Sequence, residues 1–437
     1  MDSVSKNVSG RAIGFWRGWS IAVGCAIGSG VFMMPTLLAP YGMLGLMGWL
    51  TAGAGTLLVA LSLSRLVRRV PKIGGPYAYV NAGLGNFAGF LVAWTYWISC
   101  IAAVSGIAIA FVGYLGVFLP VVTESAILSL MVSLVLVWTV IGINIRSVES
   151  SGTFQVVTTF LKILPLLFII VIGFGNMQPQ ILPPLNPTEL NPFAVLATVT
   201  TLVMWSFIGI ETATVPADNM DQPEKMIPRI LIASLLTVLV IYFLVSLAIA
   251  LVVPAEELIG STAPFALAAT KVMGPVGGAI ITIGALISTL GSLNANTLTA
   301  GQVPLAAAKD HLLPAKFLML SKSGTPIFSF IVSGGFMTLL LMLNYTKGLV
   351  AAFTFLAMLS TLSTLMAYAF CAVSEFYFLK NDRAGPERIR AIMLSGAAFL
   401  YSVFAIWGAG SEVVFYSFML IIIGMPFYAI VREDTRD

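Results

Sequence analysis

Charge is what this sequence has least of: Asp, Glu, Lys and Arg make up 9% of its 437 residues, and there is one histidine, His311. A water-soluble domain carries roughly a quarter charged residues, so ordinary soluble composition is excluded. The scarcity also removes chemistry. There is no HExxH pair, no cluster of acids for two metals, no phosphate-binding glycine loop and no second histidine for a base dyad, which argues against an integral-membrane enzyme. The three cysteines, Cys25, Cys100 and Cys371, fall in apolar runs without paired spacing, so neither a disulfide framework nor a metal site is expected. No ATP-binding domain and no other cofactor signature is present, so any work must be drawn from gradients. The alternating ten-residue strands of a membrane barrel are missing too.

What the chain does have is hydrophobicity, 59% of residues with a mean hydropathy of +1.00. A hydrocarbon core about 30 Å thick is crossed by roughly 20 apolar residues in a helix. Twelve such runs are expected, over residues 13 to 39, 43 to 67, 86 to 118, 125 to 143, 153 to 175, 193 to 217, 227 to 253, 276 to 307, 326 to 344, 348 to 379, 391 to 409 and 411 to 431. In lipid only helices and closed barrels satisfy the backbone. The fold class is therefore an all-α integral membrane protein with twelve transmembrane helices and no soluble domain. Met1 to Gly10 is polar and the first run continues past signal-peptide length into Pro35, so the first span is expected to be retained.

Positive charge gives the orientation, because cytoplasmic loops collect Lys and Arg. All but three of the 22 basic residues fall on one side, among them Lys6, Arg11, Arg17, Arg65, Arg68, Arg69, Lys72, Lys309, Lys316, Lys322, Lys380, Arg383, Arg388 and Arg390. The exceptions are Lys162, inside the fifth run, and Lys271 and Lys347 in loops of the other side. Both termini are expected in the cytoplasm. The net charge of +4 is then a topology signal and a contact for anionic lipid, and without interleaved aromatics it gives no nucleic-acid surface.

Two runs carry a weakness at mid-membrane. Gly28-Ser29-Gly30 interrupts the first, and Trp205-Ser206-Phe207-Ile208-Gly209-Ile210-Glu211 interrupts the sixth, five runs later. Paired interruptions in corresponding positions of two halves point to the binding site of an inverted-repeat transporter. The expected layout is a 5+5 repeat, residues 1–175 and 176–380, with broken helices 1 and 6, followed by two helices in 381–437. An unwound segment exposes N–H groups at the start of one half-helix, which suit a carboxylate, and carbonyls at the end of another, which suit an ammonium group. Together they fit a zwitterion. Close packing of small residues is the plainer alternative for the glycines. A channel would instead want a symmetric ring of carbonyls or charges, whereas this chain offers one asymmetric site.

Several stretches resemble one family. Gly28-Ser29-Gly30-Val31-Phe32 with Pro35, Gly74-Gly75-Pro76-Tyr77-Ala78-Tyr79, Tyr96-Trp97, Trp205 to Glu211, Ala300-Gly301-Gln302, and Lys309-Asp310-His311-Leu312-Leu313-Pro314 before Gly324-Thr325-Pro326 are similar to the amino acid, polyamine and organocation transporter superfamily, nearest its bacterial arginine/agmatine antiporters and their basic amino acid and polyamine relatives. The resemblance implies alternating access and a homodimer. It implies that backbone at Gly28, Ser29 and Gly30 holds the substrate carboxylate, that the carbonyls of Ala26, Trp205 and Ile208 receive the α-amino group, and that the Trp205 ring covers the side chain by cation–π contact. Cys100 would line the side-chain pocket, while Glu211 and Tyr96 would close the inner gate. Packing is the other reading of Trp205, and a buried structural acid that of Glu211.

The departures bear on the substrate. Asn296 stands where the arginine/agmatine exchangers have a second gate tryptophan, and Val104 where they have an asparagine, so a long cationic side chain loses two partners. Asn294 and Asn296, with Ser288 and Thr289, offer amides and hydroxyls either to a polar ligand or to neighbouring helices. Lys162 resembles the lysine that replaces a sodium ion in proton-coupled members and braces the first helix; a buried lysine can release a proton, or its stem can snorkel to the interface. Glu375 is expected to cap its helix or pair with Lys380. His311, where relatives often have glycine, is expected at the surface. The function expected is amino acid antiport, a cationic or polar amino acid against a related amine or amino acid across the inner (plasma) membrane, with proton symport through Lys162 as the alternative.

Overall fold

The computed structural model describes residues 14–70, 75–146, 152–210, 223–321, 324–380 and 382–434. Every regular element among them is helical, as the apolar runs predict. The first run divides into α1 (Phe15–Ala26) and α2 (Ser29–Leu38), and α3 follows over Gly42–Arg69. Then come the short α4 (Pro76–Leu84), which the span reading did not anticipate, α5 (Asn86–Leu115), α6 (Ala126–Arg146) and α7 (Gly152–Gly175). The sixth run begins with α8 (Pro192–Met204) and passes into one 3₁₀ turn, Trp205–Phe207. The remainder is α9 (Pro223–Ala250), α10 (Pro264–Lys309), α11 (Ile327–Asn344), α12 (Leu349–Leu379), α13 (Pro386–Gly408) and α14 (Ser411–Asp434).

Local chemistry sets these ends. Proline stands at the start of α4, α8, α10 and α13, where its missing N–H has no intrahelical partner to lose. The Asn191 side chain accepts from Phe193 N at 2.8 Å and caps α8. The α10 helix bends at Gly274, whose φ of 69° lies in the left-handed region, so its membrane part begins there, close to the expected residue 276. Among the described residues, nine helices are long and apolar enough to cross a membrane, and the shorter apolar segments 159–175 and 192–207 add to them.

Burial sorts the helices by position. In its most apolar stretch α5 is 89% buried, against 22% for α14, whose Phe415, Phe418 and Ile423 are exposed. With no water to hide from, such exposure is what a lipid-facing rim looks like. The central α5 packs on α10 and α12; α3 packs on α8 and α9; and α1 lies between α7 and α9. The two broken runs are thereby brought side by side in the middle of the bundle. At one end beyond them Thr36 Oγ1 donates to Ser261 O at 2.8 Å, and Met43 and Leu44 donate to Pro184 O and Leu185 O, tying connecting segments together.

Candidate functional site

The break in the first run is narrow. The α1 helix ends at Ala26, Ile27 is extended, and Gly28 is extended at φ −151° before α2 starts without a side-chain cap. In the second, Ile208 is extended and Gly209 takes φ 105°, a conformation that favours glycine. Glycine also lets the breaks touch. A Cβ on Gly30 would lie 2.7 Å from Ser206 Oγ, one on Gly209 would lie 3.4 Å from Cys25 O, and one on Gly28 would overlap Ser292 Oγ on α10. The close packing expected of small residues is thus present at both breaks.

Around the touching breaks is a cavity lined by Cys25, Ala26, Gly28, Ser29 and Gly30 of the first, Trp205 and Ile208 of the second, Ala103 and Ile107 of α5, and Ser292 and Asn296 of α10. The uncapped start of α2 brings free backbone donors, and the ends of α1 and α8 bring carbonyls. Fixed partial charges of both signs therefore meet in one space. Beyond it Phe32 packs on Phe265 at 4.9 Å, and Tyr114 Oη donates to Phe32 O at 2.8 Å.

Four carbonyls at the end of α1 and just beyond it take an unusual set of donors. Val23 O takes the Ile27 N–H, Gly24 O takes Lys162 Nζ of α7 at 2.8 Å, Ala26 O takes Tyr242 Oη of α9 at 2.9 Å, and Ile27 O takes Ser292 Oγ of α10 at 3.3 Å. In lipid an orphan carbonyl would cost several kcal/mol, so three neighbouring helices supply what water would supply elsewhere. Lys162 is 5% exposed and bonds inward to α1, so snorkelling is excluded.

Of the residues singled out from sequence, Ala26, Gly28, Ser29, Gly30, Trp205, Ile208 and Asn296 line the cavity. Cys100 and Val104 are buried on α5 but do not line it; Ala103 and Ile107, four apart and so on one helical face, take that wall. Tyr96 is half-buried outside the lining, and Glu211 lies outside the described residues. Trp205 meets Phe353 edge-on at 6.1 Å. Asn294 is an interhelical partner, accepting from Asn144 Nδ2 at 2.7 Å, and Thr289 bonds back to Ala285 O. Sequence reasoning missed Cys25, Ser292 and Tyr242; Ser292 sits one turn before Asn296 and could have been found from that spacing.

Two further expectations are settled away from the cavity. Glu375 does not pair with Lys380, because its carboxylate points across to α3 and α13: Arg65 Nε lies 2.8 Å from it, and Ser62 Oγ and Ser395 Oγ each donate at 2.5 Å. His311 is exposed, as expected, at φ 54°, in the left-handed region that glycine adopts most readily.

The amino acid permease family model matches residues 13–432. The chain is 27% identical over 410 residues to the putrescine transporter PotE of Haemophilus influenzae, covering 93% of each chain. It is 28% identical over 431 residues to a putative arginine/ornithine antiporter of Bacillus subtilis, covering 90% of this chain and 91% of that one. With the arginine/ornithine antiporter of Latilactobacillus sakei the figures are 27% over 438 residues, 97% and 91%. Touching helix breaks in an apolar bundle and a match across nearly the full length agree: the chain belongs to the amino acid permease family, within the amino acid, polyamine and organocation superfamily.

Proposed function

We propose that this chain is a secondary transporter of the inner membrane that exchanges a cationic or polar amino acid for a related amine or amino acid by alternating access. One observation carries the reading: the free N–H groups of α2 and the carbonyl ends of α1 and α8 border the same cavity. A substrate with a carboxylate and an ammonium group a few ångströms apart meets both, and its carboxylate relieves N–H groups that lipid cannot solvate. Gly28, Ser29 and Gly30 then hold the carboxylate, Ala26, Trp205 and Ile208 receive the amino group, and the Trp205 ring covers the side chain, with Tyr96 and Glu211 at the inner gate. The printed functions of the relatives, putrescine transport and arginine/ornithine antiport, support exchange. Twelve crossings, repeats over 1–175 and 176–380, cytoplasmic termini and a homodimer belong to the same proposal.

Proton symport is the second reading, and the bond from Lys162 to Gly24 O favours it. A lysine that gave up its proton would keep two N–H donors but lose its charge and with it part of its hold on Gly24 O, tying protonation to the shape of the broken helix. The test is purified protein in liposomes, with labelled amino acids outside and single unlabelled amino acids or amines inside. Exchange predicts uptake only against a loaded partner and indifference to a pH gradient. Uptake into empty vesicles driven by inward protons, and lost in Lys162→Met, would replace exchange by symport.

A further inference from the structure

The two helix breaks serve the α-carboxylate and α-ammonium groups that all amino acids share, so they cannot choose among side chains. Selection is left to the other two walls, Ala103 and Ile107 on α5 and Ser292 and Asn296 on α10. The α5 wall presents hydrocarbon only. The α10 wall is polar and its geometry is fixed. Asn296 Nδ2 donates to Ser292 O, one turn back, at 2.9 Å, and Ser292 Oγ is committed to Ile27 O. Because that carbonyl can only accept, the bond identifies the amide nitrogen and leaves Asn296 Oδ1 as an open acceptor beside the second amide N–H.

A guanidinium or ammonium head brings three to five donors, and each needs an acceptor or an aromatic face once water is gone. On this wall the one acceptor not already engaged in a bond is neutral. Among the described residues no carboxylate lines the cavity, and it has a single ring, that of Trp205, which meets Phe353 edge-on. A hydroxyl or carboxamide on a short side chain has a donor for that acceptor and a hydrocarbon stem for Ala103 and Ile107. We infer that the site selects a neutral amino acid with a short hydroxyl- or carboxamide-bearing side chain, and that Asn296 is the residue that selects it. This rests on the transporter reading and names the side chain accepted there.

The test measures binding and exchange of alanine, serine, threonine, asparagine, ornithine, arginine and putrescine by the purified full chain. Serine, threonine or asparagine is expected to bind at least ~10-fold more tightly than ornithine or arginine, since a site that hydrogen-bonds one donor group rejects side chains that leave groups unpaired. Asn296→Leu is expected to lower the threonine-to-alanine affinity ratio by about tenfold. Asn296→Asp keeps the shape and adds a charge, so it should move preference toward ornithine, and it carries the test if the leucine variant does not fold. Tighter arginine or ornithine binding by the wild type overturns the inference while leaving transport intact. An unchanged ornithine-to-threonine ratio in Asn296→Asp overturns the role of Asn296, and binding of no amino acid at all overturns the transporter reading with it.

Discussion

At Gly28 a single hydrogen atom decides whether two helices can meet. A methyl group there would overlap Ser292 Oγ and crowd its Cβ, and Ser292 is held by Ile27 O and by the Asn296 amide. Gly28→Ala is therefore expected to push α10 off the break and lower substrate affinity ~10-fold or more, an overpacking cost of about 1–3 kcal/mol. The double variant Gly28→Ala with Ser292→Gly should recover part of that loss, because the obstructing side chain is gone; a binding titration of both proteins, with no recovery in the second, would refute the contact. Gly28 was legible from sequence because helix-weakening residues in an apolar run ask for a reason. Tyr242 was not. It lies in an ordinary apolar helix, more than 200 residues from the Ala26 carbonyl it caps, and nothing local distinguishes it from the other eleven tyrosines.

Among the helices, α3, α12 and α13 are joined by a buried acid. Glu375 is fully buried whereas the Arg65 side chain is 30% exposed, so losing one partner does not equal losing the other. Arg65→Ala strands a carboxylate in the interior and is expected to cost about 3–5 kcal/mol. Glu375→Gln keeps the side chain's size and frees an arginine that can reach water, so it should cost distinctly less. Thermal unfolding in detergent orders the pair, and equal losses would mean that Arg65 matters for packing alone. Sequence suggested Lys380 because it is near in the chain. The partner actually used lies 310 positions away, a distance that helix periodicity does not bridge. The existence and bounds of the apolar helices, by contrast, needed only hydropathy, and most edges fall within a few residues of expectation; α4 escaped because a nine-residue helix is too short to register as a span.

For the molecule as a whole, charge asymmetry makes a direct prediction. Single cysteines introduced at Lys271 or Lys347, in a background with Cys25, Cys100 and Cys371 replaced, should react with an impermeant thiol reagent added outside intact cells, while cysteines at Lys309 or Lys316 should react only after the membrane is opened. The reverse pattern would invert the topology and with it the direction in which each gate faces. Whichever way it faces, α1 is tied at Gly24, Ala26 and Ile27 to α7, α9 and α10. In mechanical terms it is a lever on three separate guys. Slackening one leaves the load on the other two, so a tilt of this half-helix requires the three anchors to let go together or to travel with it.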